Sequence, residues 1–418
     1  MCRSRGSILF LLSCVASALA QEPPPVEWID ADTGHRVVRL SREPGSESLY
    51  FHQNAFTASG DKMVITTPGG ISTVNLKTRE VELVVPDARF STNQGSIVVG
   101  RMSRQVYYTR RIDSNTVIAF ATHLDTKATR EIGRVPGRGT TVAVNADETL
   151  LAGTLVDTEK QSDSALATLR KGPQESKGEW MQRRFAAKLP MQLFTLDLKT
   201  GKARTFHPST DWLNHLQFSP TDPTLLLFCH EGPWHWLDRT WVIRTDGSGL
   251  KPVHPRTMEM EIAGHEFFSA DGKTIWYDLQ TPRGGVFWLA GYEIATGART
   301  WYHLQRDEWS VHYNVSPDGT LFAGDGGHEG SVAKAKDGKW IYLFRPQSTP
   351  VANGPKPKAG NLIKPGVFHS EKLVNMKTHD YGLEPNVNFT PDGKWIVFRS
   401  NMFGSTNVFA VEVAKANP

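Results

Sequence analysis

One short pattern recurs along the chain and limits its fold more than any other feature. An apolar or aromatic residue is followed by Ser, Thr, Asn or a near equivalent, a tight turn rich in Asp and Gly, and a β-rich run. It reads Phe56-Thr57-Ala58-Ser59-Gly60, Val144-Asn145-Ala146-Asp147, Phe218-Ser219-Pro220-Thr221-Asp222, Phe268-Ser269-Ala270-Asp271-Gly272, Val315-Ser316-Pro317-Asp318-Gly319 and Phe389-Thr390-Pro391-Asp392-Gly393. Asp and Ser side chains close such turns on nearby backbone, and Gly accepts positive φ, so each copy marks a hairpin entering a new strand. A second half-unit also repeats, a strand ending in a polar turn, as in Val74-Asn75-Leu76-Lys77-Thr78, Leu196-Asp197-Leu198-Lys199-Thr200-Gly201 and Tyr292-Glu293-Ile294-Ala295-Thr296-Gly297. With a less regular unit around Met102 the count reaches about seven, and spacings of roughly 40 to 50 residues match a four-stranded propeller blade.

The expected fold is therefore all-β, a seven-bladed β-propeller, with a pair of β-sandwiches as the competing arrangement. Residues 21–418 are expected to form a single domain. Two intervals, Val144 to Phe218 and Val315 to Phe389, are long enough to carry insertions, placed at about 157–190 and 328–380. The first ends in the helix-like run Glu179–Phe185. The second is rich in Pro, Gly and Lys. Pro282-Arg283-Gly284-Gly285 reads as a hairpin turn.

Before the repeats, Arg3 and Arg5 precede an apolar run from Ile8 to Leu19 that closes on Ala18-Leu19-Ala20. This is the pattern of a secretory signal cleaved before Gln21, so 1–20 is expected to be a signal peptide and the mature chain secreted or periplasmic. Processing as a lipoprotein at Cys14 is the alternative. The apolar run is short for a membrane span, and none is expected in the mature chain. Cleavage would leave Cys229 as the one cysteine, without an intramolecular partner. With 47 Lys and Arg against 43 Asp and Glu, the formal charge is +4. That balance argues against nucleic acid as a partner, and any acidic ligand must be met by a local cluster. Oligomeric state has no signature in the sequence.

The densest run of His, Trp, Arg and acidic residues spans His215 to Asp325. It holds Cys229-His230-Glu231-Gly232-Pro233-Trp234, Asp238-Arg239 with Trp241, Gly264-His265-Glu266-Phe267-Phe268 and Trp309-Ser310-Val311-His312, followed by Gly324-Asp325-Gly326. These segments lie at or just before the repeated turns and are expected to converge on one mouth of a central channel. No Ser-His-Asp elbow, phosphate loop, paired-cysteine site or dinucleotide fingerprint is present. Together with Thr33-Gly34-His35-Arg36-Val37-Val38-Arg39-Leu40 and Tyr50-Phe51 near the start, they resemble the oligogalacturonide lyases, polysaccharide lyase family 22, over nearly the whole mature chain.

The resemblance implies a seven-bladed propeller that holds a divalent metal, usually manganese, and cleaves short galacturonate chains by β-elimination. It makes His265 the Brønsted base, Arg239 the residue binding the substrate carboxylate and His312 a metal ligand. That division suits the chemistry: the C5 proton beside a uronate carboxylate leaves only if the developing charge is neutralised. The remaining family ligands, a Gln and two His before the Phe-Thr-Pro-Asp turn, correspond here to Tyr381, Glu384 and Asn386. Oxygen ligands suit Mn2+, Ca2+ or Mg2+, and His379 is a further candidate nitrogen. The metal is retained with harder ligands on this reading, or it is lost or exchanged and Glu384 and Asn386 merely cap a turn. His230 and Glu231 are candidates to line the site, with His230 either touching substrate or bracing the Arg239 loop. Arg183, Arg184 and Lys188 in the first insertion either face an acidic oligosaccharide or form a solvated helical face. A noncatalytic envelope propeller that binds acidic oligosaccharides or a protein, and a lyase for another uronate glycan, are the competing functions.

Overall fold

The computed structural model describes residues 24–416 except 93–95, 114–115, 138, 160 and 351–361. The signal-like segment at 1–20 lies outside the described residues. The chain is nearly all-β, with α-helices only at α1 (Asp163–Ala167) and α2 (Lys177–Ala186) among the described residues. Four antiparallel four-stranded sheets follow in chain order, spanning Glu47 to Pro86, Ile97 to Val135, Thr140 to Ser209 and Trp212 to Pro252. An eight-stranded sheet comes next. It consists of two four-stranded meanders, Ile262 to Leu304 and Tyr313 to Asn375, joined by parallel pairing of Arg299–Leu304 with Ile363–Asn375. In the last sheet, Asn407–Lys415 near the C-terminus pairs with His35–Arg39 near the N-terminus. Joining the two chain ends in one sheet closes the circuit, the device that lets propeller-like folds bury their terminal edges.

The core lies between neighbouring sheets. Leu151, Phe194 and Leu196 pack on Ala119 and Ala121, and Leu226 and Phe228 on Ala152 and Leu193. The repeated turns have the expected chemistry. Ser269 Oγ donates to Asp271 at 2.7 Å and Thr390 Oγ1 to Asp392 at 2.6 Å. Gly272 and Gly393, both at φ +69°, close those turns onto the Ser269 and Thr390 carbonyls.

Two expectations about placement change. The interval 328–380 is not an excursion from the sheets: Trp340–Ser348 and Ile363–Asn375 are the third and fourth strands of the meander begun by Tyr313–Val315. They are nine and thirteen residues long, so lengthened strands take up part of the interval, and the outermost one is covered by its parallel neighbour. The turns also lie away from the histidine-rich mouth. Pro220, Ala270, Pro317 and Pro391 line a separate cavity of about 270 Å³. The strand Trp212–Phe218 gives Asn214 and His215 to the histidine cleft and Phe218 to that cavity, so the first strands run from one to the other.

The interval 157–190 does hold helices. Ser176 Oγ accepts from Glu179 N–H while the Glu179 carboxylate accepts from Ser176 N–H, a reciprocal cap that starts α2. Arg184, buried, lies 5.3 Å over the Trp212 ring, and Trp180 meets Trp212 edge-on at 5.1 Å, which anchors α2 to the sheet below.

Candidate active site

The cleft is built from one position of the repeat. In five of the six turns the residue three places before the apolar residue is Gln53, His215, His265, His312 or Asn386; in the Val144 turn it is Thr141. His215 and His265 sit at register shifts in their strand pairs, with φ of +51° and +45°, and Asn386 has φ +57°. A β-bulge re-aims its side chain, and non-glycine residues at positive φ persist only where the surroundings hold them. Gly264 shows that fit at His265: a Cβ there would come within 2.6 Å of the Trp234 ring.

Arg239 forms one pole. It is 1% exposed, donates from Nη1 to Glu231 Oε1 at 2.7 Å, and places Nε 3.4 Å from Glu266 Oε2. Its guanidinium lies 4.5 Å over the Trp234 ring, whose indole N–H also donates to Glu231. Burial alone would raise the Glu231 carboxyl; the Arg239 charge and nearby His215 override it and hold it well below its usual range. Arg239 Nη2 is buried without a protein partner, a donor available to an incoming acceptor.

His265 stands beside this pole. Burial, reinforced by neighbouring His312, keeps its imidazole well below the ordinary value and hence neutral. Its Nδ1 lies 2.9 Å from Asp278 Oδ1. Asp278 is fully buried on the second strand of the same meander, and burial pushes its carboxyl up to about 7. When Asp278 is ionised, Nδ1 must carry the proton, which leaves the Nε2 lone pair free to act as a base.

His312 forms the second pole, its ring centroid 4.7 Å from that of His265. Asp325 organises it with a single carboxylate. Oδ1 accepts from His312 N–H at 2.8 Å, and Oδ2 lies 2.8 Å from His312 Nδ1 and accepts from Asn386 N–H at 3.1 Å. A carboxylate at Nδ1 fixes the tautomer that leaves Nε2 bare, the arrangement usual for metal-binding histidines. His312 Nε2 and Asn386 Oδ1 are both buried without partners, and Glu384 Oε2 is 3.7 Å from that Nε2. Nitrogen, amide oxygen and carboxylate are therefore a plausible donor set for a hard divalent cation.

A model of the family described as oligogalacturonate lyase matches residues 26–417. The chain belongs to the oligogalacturonate lyase family. It is 26% identical to an oligogalacturonate lyase of Dickeya dadantii and 27% to an oligogalacturonide lyase of Pectobacterium atrosepticum, each over 406 residues, 92% of this chain and 95% of the relative. Among solved structures, an oligogalacturonate lyase in complex with manganese superposes with a TM-score of 0.72 at 21% identity, covering 93% of this chain and 96% of that one. An oligogalacturonate lyase of Vibrio parahaemolyticus gives 0.73 at 20%, with the same coverage.

In this member of the oligogalacturonate lyase family the cleft brings together Arg239, Glu231, His265 and Glu384, with His312 and Asn386 adjoining. His230 is not in it. Side chains alternate across a strand, so Glu231 faces Arg239 while His230 stacks on Trp241 at 5.1 Å and only its backbone meets residue 239. His379 has no nitrogen to offer, since Nδ1 pairs with Ser400 Oγ and Nε2 with the Leu383 carbonyl. Tyr381 places its hydroxyl on the Asp325 carbonyl. His215, Cys229 and Glu231 also cluster, with ligand atoms within 4.8 Å of one another. A cation there would face the Arg239 guanidinium, and burial pushes the Cys229 thiol up, so the group serves as the seat of Arg239. Asp278, His52 and Lys177 were missed by the motif reading; the three-before-the-turn position gives Gln53, and His52 is its neighbour in the chain.

Proposed function

We propose that this chain cleaves short galacturonate oligomers by β-elimination, releasing products with a 4,5-unsaturated uronate end. The observation that carries the proposal is a neutral, buried imidazole, His265, set between two groups of unpartnered polar atoms: Arg239 Nη2 on one side, His312 Nε2 and Asn386 Oδ1 on the other. The uronate carboxylate docks on Arg239, which turns the C5 hydrogen toward His265 Nε2. As His265 takes that proton, Asp278 holds Nδ1–H at the other edge of the ring and stabilises the imidazolium. The C4–O4 bond breaks as the C4–C5 double bond forms, and O4 leaves with a proton from solvent.

Five carboxylates, Glu231, Glu266, Asp278, Asp325 and Glu384, line or support a cleft with one buried guanidinium. Such a site favours an anion poorly unless a cation joins it. His312, Glu384 and Asn386 would hold a divalent metal, and Mn2+ is the proposed ion, with Ca2+ and Mg2+ as alternatives that the oxygen donors accept. When bound, the cation supplies Lewis-acid charge beside the substrate carboxylate and lowers the cost of the enolate-like transition state. A purely binding role does not account for the freed Nε2 of His265.

The same reading counts the eight-stranded sheet as two blades and so gives seven in the ring, one domain over 21–418. It takes 1–20 as an export signal to the periplasm or beyond, and a mature N-terminus at Gln21 in envelope extracts would support this. To test the activity, purified protein is incubated with digalacturonate and a panel of divalent cations while the unsaturated product is followed by its absorbance. Product that appears with a divalent metal and disappears in His265→Ala is expected; no product with any metal overturns the assignment.

A further inference from the structure

The helix inserted at 177–186 divides the cleft. Lys177 and Met181 of α2, with Trp234, His265 and Glu384, border two lobes at once, of about 380 and 480 Å³. Both are within the size range of small-ligand pockets, and His265 is on the boundary of each. Their charges differ. The smaller lobe contains Arg239, already held by Glu231 and Glu266. The larger has Arg283 and Lys334 on its border, both exposed and outside every salt bridge of the described residues, and Glu384 as its one carboxylate. Arg283 sits on the short turn after Gln280, whose backbone is pinned by its N–H to the Met260 carbonyl at 2.8 Å. Lys334 sits on a turn tied back to Ser331. Two cations on turns with pinned backbones, bordering a cavity next to the base, offer a site for a second carboxylate.

We propose that the larger lobe is the subsite for a second uronate, linked directly to the sugar whose C5 proton His265 removes. Arg283 and Lys334 bind its carboxylate, and α2 roofs the junction with Lys177 above the glycosidic linkage. The reaction itself is the one proposed above, on which this assignment rests; what is added is the group that selects an acidic neighbour. A monosaccharide uronate fills only the Arg239 lobe, whereas a dimer spans both.

The test uses the full chain with His265→Ala, so that ligand stays intact, and compares galacturonate with digalacturonate by titration calorimetry. The dimer is expected to bind at least about tenfold more tightly than the monomer, roughly the worth of one charge-assisted contact. Adding Arg283→Ala and Lys334→Ala should erase that preference and leave monomer affinity unchanged. In the active protein the same pair should raise KM for digalacturonate about tenfold while kcat moves less than about threefold. Arg283→Lys with Lys334→Arg should restore most of the loss, which separates charge from fold. A double alanine variant that melts like the parent yet keeps the dimer preference overturns the subsite. Absence of turnover in the parent protein would sink the lyase reading, while the binding comparison still decides the subsite.

Discussion

The two poles of the cleft are built on opposite principles. Arg239 is complete without ligand: two carboxylates and an indole ring hold a fully buried guanidinium, and one nitrogen is left over. The His312 pole is incomplete. Asp325 sets its backbone and tautomer, but the atoms turned into the cleft, His312 Nε2 and Asn386 Oδ1, have nothing to bond. The first pole is part of the fold and cannot be emptied without stranding buried charge. On the proposed reading the second takes up a cation, so stability should follow the protein's own charges at one end and the added cation at the other.

The largest effect that would break this contrast is at Arg239. Arg239→Ala leaves Glu231 and Glu266 buried without a counter-charge, which should cost about 3–5 kcal/mol of stability as well as all measurable turnover. Arg239→Lys keeps the charge but not the planar fork, and should fold while losing about a hundredfold or more in kcat/KM. Thermal melts and initial rates check both. An Arg239→Ala protein that melts with the wild type would show that Glu231 is not held ionised by this residue.

Between the poles, Asp278→Asn should fold normally yet lose about 10²–10⁴ in kcat, the range assigned to general-base catalysis, because the amide no longer fixes the tautomer that frees Nε2. Its pH profile sharpens the point. Burial pushes the Asp278 carboxyl up to about 7, and its protonated form donates to Nδ1 and shifts the imidazole proton to Nε2, which removes the base. Wild-type kcat/KM should therefore rise with pH through about 7 and fall about tenfold per unit below it. The variant should lack that limb, and rates measured across the range decide it.

Much of this was legible in the residues. The Asp-Gly turns, fixed by local hydrogen bonds, disclosed the sheets, and the long motifs around Arg239, His265 and His312 disclosed the cleft. What escaped depends on tertiary context. Asp278 stands alone in a buried strand, Thr274–Gln280, with no motif around it, and meets His265 only because pairing sets it opposite Gly264. Of the two readings of His230 the structure favours the brace: its N–H bonds the Arg239 carbonyl, while its side chain turns away from Glu231 because neighbours on a strand face opposite sides. The interval at 328–380 misled because Pro and Gly suggest loops, while Pro365 and Gly366 here lie on a strand that pairs on both sides. Of the basic residues in the first insertion, Arg183 pairs with Glu175, Arg184 is buried and Lys188 reaches Asp211. Lys177, at the helix start and outside that expectation, borders the cleft instead.

At the His312 pole the effects should be smaller and conditional on metal. Mn2+ should raise the melting temperature of the wild type, and His312→Ala should abolish that rise while changing the metal-free midpoint less than Arg239→Ala does. Glu384→Gln keeps the shape and removes the charge, so about ten- to hundredfold weaker Mn2+ binding is expected by calorimetry.

The finest test replaces the hard donors by nitrogen. Glu384→His with Asn386→His moves the set from one nitrogen and two oxygens toward three imidazoles, and imidazole favours later, softer first-row ions over Mg2+ and Ca2+. Mg2+ and Ca2+ affinity should fall several-fold relative to Mn2+ without a comparable change in the metal-free melt. Asn386 sits at φ +57°, so part of any loss could come from backbone strain, and Asn386→Asp, which tolerates that conformation and keeps an oxygen donor, controls for it. If the double histidine variant leaves the order of metal affinities unchanged while Asn386→Asp also has no effect, Glu384 and Asn386 only cap the turn. The incomplete pole would then reduce to His312 alone, and the contrast with Arg239 would rest on one unpartnered nitrogen rather than on a donor set.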